Sequence, residues 1–386
     1  VRPVMGKYVA ALQSELSNRG SEIGLNVMKS DGGVMSANRV KERAILTALS
    51  GPAAGVIGAY HLAQQAGFDQ VITLDMGGTS TDIALCPGET PRRPESEIDG
   101  LPLRMRLLDI ETIGAGGGSI ARVDAGGLLR VGPESAGAEP GPACYGRGGK
   151  HATVSDANAV LRRIMPQHFL GGEMQIDIDA ALRVVNEVAE RLDLSVGDAA
   201  RGILDVTNVN IDRAVRRVSV ARGHDPRQFT LVAFGGAGPL HACAIADQLA
   251  IPRVMIPRHP GVLCAYGLLV ADVVLDYSRP ILSPVTIATI PQLADMLEEM
   301  IAEARDALKA EGIPRKRRGY VASLDMRYQG QAHELNVTMH GGDDLAESFH
   351  SAHETAYGHR LPGRTVEVVN LSLQARCIIC SPNSVV

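Results

Sequence analysis

The chain has no tryptophan, only five phenylalanines and eight tyrosines, and aromatics make up 3% of its 386 residues. Its core must therefore be built from Leu, Val, Ile, Ala and Met. Neither sign of charge is in excess: 38 Lys and Arg stand against 43 Asp and Glu, a formal net charge of −5. Nothing in that balance calls for nucleic acid or an acidic membrane surface as a partner. Long apolar runs are missing too. The longest, Val262 to Leu275, is broken by Gly267 and Asp272 and falls short of the ~18 residues a membrane span needs. Six cysteines scattered over so long a chain make no disulfide framework and fit reduced thiols in a cytoplasm. Only Cys377 and Cys380 are close, on a segment that reads as a strand, where positions i and i+3 face opposite sides.

What the chain does have is glycine, 42 residues, much of it clustered. The stretch Val71–Leu85 (V-I-T-L-D-M-G-G-T-S-T-D-I-A-L) reads as a buried strand, a tight turn with two glycines and a run of hydroxyls, then a second strand. Gly77 and Gly78 suit a turn with positive φ and a close approach to a ligand. Successive N–H groups in such a turn make a concave anion site, and the hydroxyls of Thr79, Ser80 and Thr81 add donors. Asp75, at the end of its strand, is placed to hold magnesium or its waters. The plain alternative is a hairpin turn with Gly-Gly chosen for geometry alone. Two more clusters follow, Gly116–Gly118 and Gly235–Gly238, each after a strand or opening a helix. Three such turns converging on one cleft would form a nucleotide site. The first would cradle phosphates, the second would meet the base or ribose, and the third would pack against the adenosine.

Around these turns the spacing predicts helices over 3–18, 53–66, 178–192 and 196–220, and strands over 70–74, 83–86, 229–234 and 253–256. The helix at 53–66 carries small residues on one face, which lets another backbone approach. Residues 124–149 hold too much glycine and proline for regular structure and read as a functional loop. Ser155 and Asp156 read as a helix cap. From about Asp276 a helix over 290–311 and period-two strands over 321–328, 334–339, 366–372 and 374–379 read as a separate unit. The expected class is α/β: a lobe over 51–275 with mixed sheets and flanking helices, then a smaller α+β domain over 276–386. Residues 1–50 would belong to a preceding part or the region between lobes.

Residues 71–85 resemble the second phosphate motif of the actin, sugar-kinase and Hsp70 ATPase superfamily, whose core is ribonuclease H-like. F-G-G-A-G-P at 234–239 resembles its adenosine motif, and residues 50–59 its first connecting helix. The chain is more specifically similar to the hydantoinase A and 5-oxoprolinase family, which includes the ATP-using subunit of ketone carboxylases. That likeness rests on 30–36, 111–121, 132–146, 154–158, 222–226 and 235–241, and extends to Asp325–Gln331 and Tyr357–His359. Family members begin with a lobe carrying a first phosphate motif, D-x-G-G-T-x-T-D. This chain holds one such copy, so the expectation is a part of the ATP site that does not turn over ATP efficiently alone.

The resemblance implies an ATP- and magnesium-dependent subunit that phosphorylates the carbonyl oxygen of a cyclic amide, such as a hydantoin, a lactam or 5-oxoproline. A hydantoinase B-like partner subunit would complete ring opening within an oligomer. On that view Asp75 orients magnesium or water, Asp82 is a second acid, and Gly77, Gly78, Thr79 and Ser80 hold phosphates. Gly116, Gly117 and Gly118 meet the base or ribose side, and Gly235, Gly236 and Gly238 line the base. The alternatives are a ketone carboxylase subunit and a nucleotide-dependent interaction module without its own chemistry. His241 reads as a capping or packing residue or as a substrate or metal contact, and Cys144 as a packed thiol or a substrate contact. His350, His353 and His359 have ligand-like spacing or form a solvated helix face. Arg216, Arg217 and Arg222 either reach phosphates or line a solvated face.

Overall fold

The computed structural model describes residues 2–20, 24–93, 96–98, 101–103, 107–286, 288–340 and 344–377. In chain order its main elements begin with α1 (Arg2–Asn18), β1 (Asn26–Met28), β2 (Val34–Ser36), α2 (Ala37–Glu42), α3 (Ser50–Gln65), β3 (Gln70–Met76) and β4 (Thr81–Pro87). Next come β5 (Glu111–Ile113), β6 (Ser119–Val123), β7 (Leu129–Ser135), α4 (Val154–Val160), α5 (Ile178–Leu192), α6 (Val196–Val218), β8 (Thr230–Phe234), α7 (Gly238–Leu249), β9 (Arg253–Met255) and α8 (Leu263–Val270). The last are β10 (Val273–Pro284), α9 (Thr289–Ala310), β11 (Arg318–Tyr328), β12 (Leu335–Thr338), α10 (Leu345–Tyr357) and β13 (Val366–Cys377). The chain divides into two compact units, one of residues 28–32 with 48–270 and one of 1–27, 33–47 and 271–386.

The larger unit is α/β, as expected. Its five-stranded sheet has the order β9-β8-β3-β4-β5. β8 runs parallel to β9 and β3, and β3, β4 and β5 are antiparallel neighbours. Period-two alternation sorts the side chains. Ile72, Leu74, Met76, Ile83, Leu85, Leu231 and Ala233 pack into one core with the buried faces of α5, α6 and α7. Residues between them face the other side, towards α3 and α8. There the small-residue face of α3 has its predicted purpose. A Cβ on Gly267 of α8 would lie 1.8 Å from the Ala54 carbonyl oxygen, and one on Gly58 2.8 Å from the Leu263 carbonyl oxygen.

Two local expectations are corrected. Residues 124–149 are not wholly irregular, because Leu129–Ser135 pairs with Ser119–Val123 as an antiparallel hairpin. The cap of α4 is Thr153 rather than Ser155. Thr153 accepts from the Asp156 backbone while Asp156 accepts back from the Thr153 backbone, a capping box, in a setting where such a cap contributes about 1 kcal/mol.

The smaller unit is α+β, again as expected. Its sheet has the order β1-β2-β10-β13-β11-β12. Leu293, Met300, Ala304 and Leu308 form the buried stripe of α9. The two strands expected over 366–372 and 374–379 are one, Val366–Cys377, paired on both sides by β10 and β11. β10 itself escaped the sequence reading because Val273–Leu275 lies inside the longest apolar run. Cys377 ends β13, and Cys380 lies outside the described residues.

Candidate functional site

All three glycine clusters meet at the turn between β3 and β4. The turn closes on itself through Gly77 N–H donating to the Ser80 carbonyl at 3.1 Å. The second cluster backs it strand-fashion: Gly117 N–H donates to the Gly77 carbonyl at 2.9 Å and Gly118 N–H to the Gly78 carbonyl at 2.6 Å. A Cβ on Gly116 would sit 2.6 Å from the Thr79 backbone nitrogen. Buried Thr81 ties in the same segment, its hydroxyl donating to the Ala115 carbonyl at 2.5 Å. The third cluster approaches from β8. Ala237 N–H donates to the Met76 carbonyl at 2.9 Å. Gly235, at φ +79°, comes so near that a Cβ there would lie 2.4 Å from Asp75 Oδ1. Gly238 opens α7 and packs on the backbone of Leu74 and Met76.

The placement alters two sequence expectations. Neither Gly77 nor Gly78 adopts a positive φ. What they provide is open space, since a Cβ on either meets nothing within 4 Å. Gly116–Gly118 likewise serve as a backbone brace behind the turn. Among the described residues, the N–H groups of Gly78, Thr79 and Ser80 donate to no protein acceptor. Gly78 and Thr79 are exposed and Ser80 is half-buried. Gly236 also faces open space.

Beside the turn, one row crosses the sheet: Phe234, Asp75, Asp82 and Thr112 are successive neighbours on β8, β3, β4 and β5. Thr112 Oγ1 donates to Asp82 Oδ1 at 2.5 Å. Cys264 Sγ, on α8, donates to Asp75 Oδ2 at 3.5 Å. Burial pushes the Asp75 carboxyl up to about 6, the thiol bond opposes this, and the Asp82 charge adds to it. Burial also raises Asp82, against the Thr112 bond. Cys264 is pushed up to about 12 by burial and by Asp75, so it stays a thiol donor. The arrangement can present N–H donors and hydroxyls to an anion and a facing carboxylate pair to a cation. Cys264 and Thr112 were missed from the sequence, and Thr81, expected to add a donor to the anion site, is buried and spends its hydroxyl on the Ala115 carbonyl instead. Cys264 lies 189 residues from Asp75, and no local pattern marks such a pair.

Other candidates resolve differently. His241 is fully buried on α7. Its Nδ1 lies 2.7 Å from Asn208 Oδ1, and Nε2 has no partner. Burial and the Arg163 charge lower it to about 4, so it is a neutral packing histidine. Cys144 is packed among Ala159, Ile176 and Ala181, and its N–H donates to Asp156 Oδ1 at 2.7 Å. Arg216, Arg217 and Arg222 are paired with Asp212, Glu111 and Asp109. His350 and His353 are buried in the smaller unit. Among the described residues no group of three His, Cys, Asp or Glu is placed to hold a metal ion, and no helix is long and apolar enough to cross a membrane.

A family model described as hydantoinase/oxoprolinase matches residues 1–277. The caprolactamase alpha subunit of Pseudomonas jessenii is 36% identical over 381 residues, which are 96% of this chain and 55% of that protein. 5-Oxoprolinase 1 of Arabidopsis thaliana is 31% identical over 96% of this chain and 31% of its own. Among solved structures, the ATP-dependent caprolactamase from Pseudomonas jessenii matches with a TM-score of 0.81 at 34% identity, covering 99% of this chain and 57% of that one. A nucleotide-free acetone carboxylase matches with a TM-score of 0.81 at 27% identity, covering 97% and 56%. The chain spans a little over half the length of the caprolactamase subunit it matches, and less of the oxoprolinases. With its three glycine turns and the family match running through all of them, the chain belongs to the hydantoinase/oxoprolinase family.

Proposed function

We propose that this chain carries nucleotide-handling machinery of an ATP-dependent cyclic-amide hydrolase subunit. The observation that carries the reading is the braced turn at 77–80, where among the described residues the N–H groups of Gly78, Thr79 and Ser80 find no protein acceptor and the exposed Thr79 lies near Asp75 and Asp82. Relatives described as an ATP-dependent caprolactamase and as 5-oxoprolinases support the substrate class.

On this reading Gly78, Thr79 and Ser80 hold phosphate oxygens through backbone N–H groups, and Gly77 and Gly236 leave room for the nucleotide. Asp75 and Asp82 supply the carboxylates that a magnesium ion needs. When bound, such an ion would supply neutralisation of the phosphate charge. The chain's own work is then positioning, which is most of what phosphoryl transfer asks of a protein. Transfer of the terminal phosphoryl group to a ring carbonyl oxygen makes the carbon a better electrophile. A partner subunit, the counterpart implied by a subunit named alpha, would complete ring opening.

The test is ADP release by this chain with magnesium, a lactam and the partner subunit. Lactam-dependent release that Asp75→Asn abolishes is the expected result. Failure to bind a fluorescent ATP analogue under any of these conditions would sink the proposal. The acetone carboxylase likeness, equal in TM-score, keeps one second reading open. Bicarbonate-dependent turnover of a ketone would select it.

A further inference from the structure

Away from the glycine turns, the smaller unit holds a cleft of about 350 Å³ lined by Gln13, Leu25, Asn26, Ser36, Asn38 and Glu311, among others. Glu311 is the one charged side chain among the described residues of that lining. It is half-buried and, among the described residues, has no cationic partner. Its carboxylate is held by Ser36, whose hydroxyl donates to Glu311 Oε1 at 2.9 Å across 275 residues of chain. Ser36 occupies the N-cap position of α2, where a serine hydroxyl ordinarily accepts from the first turn of its own helix. Here it makes no such bond and fixes the carboxylate instead. Glu311 in turn is the residue that ends α9. A carboxylate there stands against the partial negative charge that 22 aligned residues place at the helix C-terminus. Lys309, in the last turn, is exposed, lies outside the lining and forms no ion pair with it. The carboxylate is thus held in an unfavourable field that a cation in the cleft relieves.

The rest of the lining matches a cation that donates hydrogen bonds. The Gln13, Asn26 and Asn38 carboxamides bond to no protein group among the described residues, and each has an oxygen that accepts. Ser36 Oγ, having donated its hydrogen, keeps lone pairs that accept. Leu25, Ala37 and Ala310 add apolar surface. No lysine, arginine or histidine among the described residues lines the cleft to meet an anion. A divalent ion is not favoured, since calcium takes about 6–8 oxygens and no group of three His, Cys, Asp or Glu gathers among the described residues. A planar guanidinium prefers both oxygens of its carboxylate, and Ser36 already holds one of them. The volume lies at the lower end of the ~300–1,000 Å³ of small-molecule sites. We infer that this cleft binds a primary ammonium group carried on a short alkyl chain. Its three N–H donors meet Glu311, Ser36 Oγ and a carboxamide oxygen, and the alkyl chain lies along Leu25 and Ala37. A free alkylamine and a lysine side chain of another polypeptide both present that group. No glycine turn contributes, so the inference is independent of the nucleotide reading.

The experiment is ligand-observed NMR titration of the whole chain at neutral pH and low salt, without nucleotide. Butylammonium is the probe, compared with tetramethylammonium, a cation with no N–H, and with butyrate, an anion of similar length. The expected result is saturable binding of butylammonium, at least about tenfold weaker binding of tetramethylammonium and none of butyrate. Glu311→Gln keeps the shape of the side chain and an oxygen for Ser36 but removes the charge, and should weaken butylammonium at least about tenfold. Glu187→Gln, at an exposed position of α5, should change nothing. If Glu311→Gln does not fold, Ser36→Ala is read in its place and should weaken butylammonium about fivefold. Nα-acetyl-lysine amide separates the two sources: tighter binding than butylammonium assigns a lysine of another polypeptide, and weaker binding assigns a free amine. Equal binding of butylammonium and tetramethylammonium, no saturable binding, or binding undisturbed in both cleft variants would overturn the inference. Asp75→Asn, in turn, should leave butylammonium binding intact.

Discussion

Asp75 and Asp82 are direct cross-strand partners on antiparallel β3 and β4, so both carboxylates project from one face of the sheet. Two like charges at that spacing are held in place by the sheet and softened only by single hydrogen bonds, from Cys264 and Thr112. A divalent cation relieves both the repulsion and the burial cost, and that relief gives the pair a measurable signature.

Cation affinity should rise as the pH climbs through about 6, where Asp75 ionises. Manganese binding followed by electron paramagnetic resonance between pH 5 and 7.5 checks this. Asp75→Asn should weaken binding and flatten its pH dependence. A pH-independent affinity in the unmodified chain would refute the assignment.

The same group governs stability with a definite sign. The Asp75 carboxyl is raised from 3.8 to about 6, so its contribution is present below pH 3.8 and is lost as the pH rises through 6. His241 is lowered from 6.5 to about 4, so its contribution is present above pH 6.5 and is lost as the pH falls through 4. Each effect is on the order of 2–3 kcal/mol, and the two oppose each other between pH 4 and 6.5. Asp75→Asn should therefore be more stable than the parent at pH 7 and lose stability more steeply on acidification. Urea unfolding at pH 7 and pH 4.5 measures both.

Cys264 acts on Asp75 through its thiol hydrogen. Cys264→Ala removes a bond that lowers the Asp75 carboxyl, so the Asp75 midpoint should move upward from about 6. Cys264→Ser keeps a donor and should move it less. Carboxyl 13C shifts of Asp75 against pH report the midpoint, and identical titrations in all three proteins would rule the thiol out.

Glycine substitutions separate the brace from the open face. Gly116→Ala drives a Cβ into the Thr79 backbone. It should cost about 1–3 kcal/mol of stability and weaken binding of an ATP analogue at least about tenfold. Gly236→Ala meets nothing and should leave stability within about 0.5 kcal/mol while reducing analogue affinity. Thermal melts beside fluorescence titrations distinguish the two patterns.

The α3–α8 contact gives a prediction independent of any ligand. Gly267→Ala places a Cβ 1.8 Å from the Ala54 backbone oxygen, which cannot swing aside as the end of a flexible side chain would. The loss should exceed about 3 kcal/mol, read as a fall in the urea midpoint.

Much of this was legible because local chemistry and tertiary role coincided. The apolar strand ending at Asp75, the Gly-Gly turn, and the small face from Ala53 to Ala59 each say what they pack against. The hidden parts were relational. Cys264 sits in an apolar run whose pattern announces a buried helix and says nothing of a carboxylate partner on another strand. Gly116–Gly118 read as ligand-facing because a glycine that admits a ligand and one that admits another backbone look alike in sequence. Strand β7 was obscured by its own glycine and proline, which its hairpin pairing overrides. The histidines at 350 and 353 suggested ligands or solvent, and only the fold reveals that both are buried.

The bonds from Gly117, Gly118 and Ala237 into residues 76–78 have a consequence for the thermodynamics of recognition. A turn pinned from two sides has already surrendered its conformational freedom during folding, so an incoming anion need not order it again. Association there should carry little entropy loss from the protein, and the favourable enthalpy of the N–H contacts should reach the observed affinity with little subtracted.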